Sequence, residues 1–134
     1  MRYQPLSASF YRSNRSRFMA QMNGNSLAVF NSNDIYPISA DSTLPFAQHR
    51  DIFYLCGVDQ EESILVLFPN AIDPQHREVL FVRETNAHIA VWEGAKLSKA
   101  QATALTGIET VYWLSDFDRV FQELSTQCER FYFN

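Results

Sequence analysis

The apolar positions of this chain change period along its length, and each change marks an element. Residues 9–22 set Phe10, Tyr11, Phe18, Met19 and Met22 on one side of a helix, with Arg12, Arg15 and Arg17 between them, which read either as a small anion patch or, more blandly, as a solvated helix face. Asn23-Gly24-Asn25 supplies the stop, since Gly and Asn tolerate the left-handed conformation at a helix end. Ser26-Leu27-Ala28-Val29-Phe30 is a short apolar run between turn residues, the pattern of a strand buried on both faces. Polar, irregular sequence fills 31–51, a length uncommon for a loop without a task. Strand-like runs resume at 52–55, 63–68 and 79–82. Gly57 and the acidic Asp59-Gln60-Glu61-Glu62 separate the first two, and Pro69, Asn70, Asp73 and Pro74 punctuate the next connection.

Ser98 and Gln101 have capping-box spacing, which predicts a helix running to Leu105 and ended by Gly107. Thr110-Val111-Tyr112-Trp113-Leu114 reads as a β-branched and aromatic strand. Ser115-Asp116-Phe117-Asp118 repeats the cap signal, and Phe117, Val120, Phe121, Leu124 and Cys128 keep i, i+3, i+4, i+7, i+11 spacing. Arg130-Phe131-Tyr132-Phe133 opens another core-type strand, as expected of a chain cut inside a longer protein. This order of elements predicts an α/β fold, a mixed, largely buried sheet flanked by helices.

Composition narrows the class. A chain of 134 residues with 46% hydrophobic content suits one domain, 1–134, that buries about 68% of its unfolded surface without disulfides or metals. Its 4 Gly and 5 Pro exclude collagen-like or linker character. Net charge is −4, against sequence-independent nucleic-acid binding, but it is uneven: residues 1–50 sum to +3 and the rest to −7. No apolar run approaches the roughly 18 residues of a membrane span, and no signal-peptide core follows Met1. Cys56 and Cys128 are far apart among apolar residues, as reduced packing thiols would be. A cytoplasmic protein is expected.

Motifs that carry chemistry are sparse. His49, His76 and His88 make no paired metal-ligand spacing, and no phosphate-binding glycine loop or nucleophile elbow occurs. Glu61-Glu62 and Asp116 with Asp118 fall at a turn and a helix cap, where charge is expected without catalysis. Trp92, in Val91-Trp92-Glu93-Gly94, stands among polar residues. It reads either as a ring packed over the sheet edge or as an aromatic anchor for a partner.

Three segments in order resemble the N-terminal domain of the aminopeptidase P, prolidase and creatinase family. Ala40-Asp41-Ser42-Thr43-Leu44-Pro45-Phe46 is similar to the family's acidic loop ending in Pro-Phe. Residues 48–58, with Asp51-Ile52-Phe53-Tyr54-Leu55 and Gly57, look like its Asp-Phe-x-Tyr-Leu-Thr-Gly segment. Trp92-Glu93-Gly94, after a strand ending in Arg83, resembles its Trp-x-Gly. Ala47, His49, Arg50, Thr85 and Asn86 differ from the family pattern, while Asp51 keeps its carboxylate.

The resemblance implies a creatinase/prolidase-type domain, the N-terminal part of a two-domain metallopeptidase. The catalytic pita-bread domain would lie beyond this chain and hold two divalent ions, usually manganese, through two Asp, one His and two Glu. The parent would be a Xaa-Pro aminopeptidase acting on peptides with proline second, and a homo-oligomer, without nucleic-acid or membrane partners. Catalytic residues and metal ligands would then be absent from this chain. By position, Asp41 matches a family aspartate that hydrogen-bonds into the active-site network, and Trp92 a tryptophan that reaches a neighbouring subunit's active site. The alternatives are a stand-alone interaction module of the same fold, or the same domain of a prolidase or creatinase-type hydrolase.

Overall fold

A computed structural model describes residues 7–22, 24–31, 37–39, 42–43, 50–58, 62–84 and 97–133. Chain order gives α1 (Ala8–Ala20), β1 (Ser26–Asn31), β2 (Pro37–Ser39), β3 (Ser42–Thr43), α2 (Arg50–Cys56), β4 (Ile64–Leu67) and β5 (Glu78–Val82). Then follow α3 (Lys99–Thr106), β6 (Thr110–Trp113), α4 (Phe117–Ser125) and β7 (Arg130–Phe133). The main sheet has five strands in the order β6-β5-β4-β1-β7, and β2 pairs with β3 in a separate ribbon. It is mixed: β4 runs antiparallel to β1 and β5, while β1–β7 and β5–β6 are parallel.

Strand alternation divides the core between two faces. Ala28, Phe30, Leu65, Leu67, Leu80, Val82 and Val111 point to one face, where α2 contributes Ile52, Leu55 and Cys56, α3 contributes Ala102, and Phe18 and Met19 of α1 pack alongside. Leu27, Val29, Val66, Phe68, Val79 and Phe81 point to the other, against Val120 and Leu124 of α4. The expectation of β1 as a strand buried on both faces holds.

Two caps behave as their sequence suggests. Ser98 Oγ accepts from the Gln101 amide at 3.1 Å while Gln101 Oε1 accepts from the Ser98 amide at 2.9 Å, which closes the capping box of α3. Gly107 ends that helix with φ +79°, a conformation costly for residues with a Cβ. At α4 the cap differs from expectation. A 3₁₀ turn spans Leu114–Asp116, and the Asp116 carboxylate makes no cap bond to the helix but lies 3.5 Å from Arg119.

Three further expectations are corrected. Residues 52–55 are not a strand but part of helix α2. A run of four apolar residues does not distinguish the two states. The deciding signal is Ile52, Leu55 and Cys56 at i, i+3, i+4, all buried, with Tyr54 exposed and Gly57 at φ +77° ending the helix. Arg15 does not sit on a solvated face. The stripe α1 turns inward is Tyr11, Asn14, Arg15, Phe18 and Met19, a clean helical period in which two positions are polar, with Met22 packed just beyond the helix end and Phe10 exposed. Finally, β7 is an exposed edge strand rather than a core strand.

Candidate functional site

The strand register brings the loops of interest to one end of the sheet. Asn31 at the end of β1 lies opposite Ile64 at the start of β4, and Ile64 opposite Phe81 near the end of β5. In the parallel pairs, Val82 aligns with Trp113 and Val29 with Phe133. The carboxyl ends of β1, β5, β6 and β7 therefore share one rim, the side of an α/β sheet where connecting loops build ligand sites. The segment after Asn31, which carries Asp41, and the segment after Glu84, which carries Trp92, both leave from this rim. Only β4 separates β1 from β5, so their departure points are about 10 Å apart.

Several contacts fix the rim. Arg83 Nε lies 3.3 Å from Glu62 Oε2, tying the exit of β5 to the turn before β4; both side chains are well exposed, so the pair is worth at most about 1 kcal/mol. Glu62 itself adopts φ +59°. On the returning side, the Lys99 ammonium sits 4.9 Å from the centre of the Trp113 ring, which holds the first turn of α3 against the same end of the sheet.

Helix α2, reached directly after the Asp41-bearing segment, is anchored by the two polar residues on the inward stripe of α1. Asn14 Nδ2 donates to the Tyr54 carbonyl and Arg15 Nη1 to the Leu55 carbonyl, each at 2.9 Å. These are last-turn carbonyls that α2 cannot satisfy itself, and a guanidinium there also complements the helix dipole. Arg15 is completely buried, and its Nε lies 3.2 Å from Glu78 Oε2, close enough for charge attraction though poorly aligned for a hydrogen bond. Gly57 completes the joint: a Cβ there would lie 2.5 Å from the Tyr11 ring, so α1 and α2 meet only because the side chain is missing.

A cavity of about 780 Å³ lies at the opposite end of the sheet, with Arg12, Arg77, Glu78 and Glu109 on its walls. Its cations and carboxylates are mixed, which favours no ligand charge. Burial pushes the Cys56 thiol up to about 12, against smaller lowering effects from a Val58 backbone bond and Arg15, so it stays protonated and unreactive. Burial also raises Cys128, and both cysteines are free thiols. His76 Nε2 lies 3.3 Å from the Tyr112 hydroxyl. Among the described residues no three His, Cys, Asp or Glu side chains gather, so this part of the chain does not fit a metal pair. No helix among them is long and apolar enough to cross a membrane.

Asp41 and Trp92 lie outside the described residues, as do His49 and His88. Asp51 lies in the first turn of α2. The sequence reading missed the joint made by Asn14, Arg15 and Glu78. Its signal was available: continuing the helical period through Tyr11, Phe18 and Met22 places 14 and 15 on the inward stripe.

Fold and rim together define a class: an α/β domain with a mixed five-stranded sheet, from one rim of which the segments after β1 and β5 depart. The chain matches the family model of the aminopeptidase P N-terminal domain over residues 11–132, and it belongs to that family. It is 33% identical over 98 residues to Xaa-Pro aminopeptidase 3 of Homo sapiens, an alignment covering 72% of this chain and 19% of that protein. It is 26% identical over 119 residues to the Xaa-Pro aminopeptidase of Escherichia coli, covering 89% of this chain and 27% of that one. The structure of aminopeptidase PepP from Pseudomonas aeruginosa superposes with a TM-score of 0.80 at 26% identity, over 96% of this chain and 29% of that one. The chain thus spans less than a third of the length of these relatives.

Proposed function

We propose that this domain is the non-catalytic N-terminal part of a manganese-dependent, cytoplasmic Xaa-Pro aminopeptidase, which removes an N-terminal residue that precedes proline. The observation that carries the reading is a coincidence of family and geometry. The family match runs over 11–132, and the two segments holding Asp41 and Trp92 leave the same rim of the sheet. The E. coli aminopeptidase P was solved with the inhibitor Pro-Leu, a dipeptide that begins with proline as the released product of Xaa-Pro-Leu would. Peptides with proline second are the corresponding substrates here.

In this reading the chemistry belongs to a separate pita-bread domain, where a bound metal pair supplies a water of lowered pKa. This chain's own residues shape access. Asp41 accepts hydrogen bonds at the mouth of the cleft, and Trp92 reaches the site of a neighbouring subunit in a homo-oligomer. The joint between α1 and α2 holds the return of the Asp41 segment in place. The test uses the natural polypeptide expressed in full, with a peptide beginning Xaa-Pro. Release of the first residue, lost on chelation and regained with Mn²⁺, is expected. Asp41→Asn and Trp92→Ala should lower kcat/KM without moving Tm, and Trp92→Ala should also reduce oligomer mass. Absence of cleavage, or cleavage indifferent to chelation, would remove the reading.

A further inference from the structure

The open cavity at the end of the sheet opposite the rim has a volume of about 780 Å³, within the roughly 300–1,000 Å³ of small-ligand sites. Its walls come from α1, the turn before β5, the start of β5, and the link from α3 to β6. The three arginines of α1 part company here. Arg15 is buried beside Glu78, Arg17 donates to Asn14 Oδ1, and Arg12 alone lines the cavity.

The charges on these walls are sorted. Parallel register sets Val79 opposite Thr110, so Glu78 and Glu109, each one step earlier, stand side by side at the entry to adjacent strands, about 5 Å apart along the backbone. They form an acidic corner. Arg15 Nε, 3.2 Å from Glu78 Oε2, offsets one carboxylate from the buried side, while Glu109 is in no ion pair among the described residues. The basic side consists of Arg12 and Arg77, which among the described residues are also in no ion pair. The Arg12 head rests on the end of α3: its Nη2 lies 2.8 Å from where a Cβ on Gly107 would stand, room that only glycine leaves. That contact places the cation beside a residue two positions from Glu109, a backbone reach of at most about 7 Å. Met19, Pro69 and Pro74 add an apolar wall.

We propose that this cavity binds a short free peptide of two or three residues, its terminal ammonium at Glu78 and Glu109 and its terminal carboxylate at Arg12 and Arg77. A simple anion would meet the acidic corner, and a simple cation the two guanidiniums. A ligand with opposite charges at its two ends avoids both repulsions, so the mixture that favours neither sign of net charge selects a zwitterion. Guanidinium suits the carboxylate end because its planar N–H fork matches two oxygens. Length follows from separation. A single amino acid carries both charges on one Cα, whereas each further residue adds a step of about 3.8 Å, as the distance from the Arg12 head to the acidic corner requires. The apolar wall then takes an aliphatic side chain. Every group invoked belongs to this chain, so the inference is independent of the peptidase reading.

The test titrates the natural polypeptide expressed in full with Ala-Leu, its N-acetyl form and its C-terminal amide, following the NMR signals of the peptide. Ala-Leu should saturate with a Kd of about 1 mM, the scale of a ligand this small. Each blocked form should bind about fivefold more weakly, as loss of one exposed charge pair allows. Glu109→Gln should remove the preference for the free amine, and Arg12→Gln with Arg77→Gln the preference for the free carboxylate. All three side chains are exposed, so Tm should not move. Equal binding of the three peptides, a preference that survives its own variant, or no saturation up to about 20 mM would overturn the inference. Ala-Leu has no proline and no turnover is measured, so such a failure leaves the peptidase reading standing. Failure of that reading shows instead in the Xaa-Pro assay.

Discussion

The two faces of the sheet bury similar kinds of side chain and yet are built differently. The first is closed by α1, α2 and α3, and it contains the buried guanidinium of Arg15, which donates to the Leu55 carbonyl of α2 and lies beside Glu78. The second is mainly apolar and aromatic, with Asn31, Ser115 and Asp118 at its margin, closed by α4 over β4 and β5 and open toward β7. The charge buried on the first face has the Leu55 carbonyl and the Glu78 carboxylate beside it. The second face instead leaves the apolar rings of Phe131 and Phe133 exposed on its edge strand. The difference places the buried polar joint on the first face and the exposed rings on the second.

The comparison is broken or sharpened most strongly at Arg15. Arg15→Ala removes the partner of Glu78 and leaves the Leu55 carbonyl without its bond, which should destabilise by about 3–5 kcal/mol. Urea denaturation gives the value; a loss below about 1 kcal/mol would mean that the first face does not depend on the joint. On the second face, Phe121→Ala should lose about 1–3 kcal/mol, less than a fully buried Phe, because the ring is only half buried. A loss equal to that of Arg15→Ala would erase the asymmetry.

The two thiols sample one face each. Native protein at pH 8 treated with a thiol reagent should label Cys128 first and Cys56 only after unfolding, since Cys56 is buried and held near 12. The sign of the accompanying pH effect follows. Its folded value is raised above the ordinary 9.0, so the contribution is fully present below pH 9. It is lost as pH rises toward 12, because the unfolded chain releases the proton first. Tm measured across that window should fall less steeply in Cys56→Ala than in the parent sequence. The smallest effect belongs to the open edge: Phe133→Ser should change stability by no more than about 0.5 kcal/mol while raising solubility.

Much of the fold is legible in the chain where one physical signal acts alone. The capping box at Ser98 and Gln101, the left-handed stop at Gly107, and the stripe from Phe117 to Leu124 each appear where the residues place them. The misreadings share another cause, tertiary context. Ile52 to Leu55 is too short for its period to speak, and its helix is completed by donors some forty positions away at Asn14 and Arg15. Arg15 looks solvated until Glu78 and Leu55 are brought beside it. The aromatic residues of β7 read as core because nothing local shows that the strand lies at an exposed edge of the sheet. For the site, the resemblance names Asp41 and Trp92, and the strand register adds that their segments start from one rim.

The central claim is that this chain scaffolds an active site whose hydrolytic groups lie elsewhere in the enzyme. The most direct measurement compares the 134-residue chain with the natural polypeptide expressed in full, on the same Xaa-Pro peptide with Mn²⁺ at matched molar concentration. The account expects release of the first residue by the longer protein and none by the 134-residue chain. Turnover by the 134-residue chain alone would contradict it.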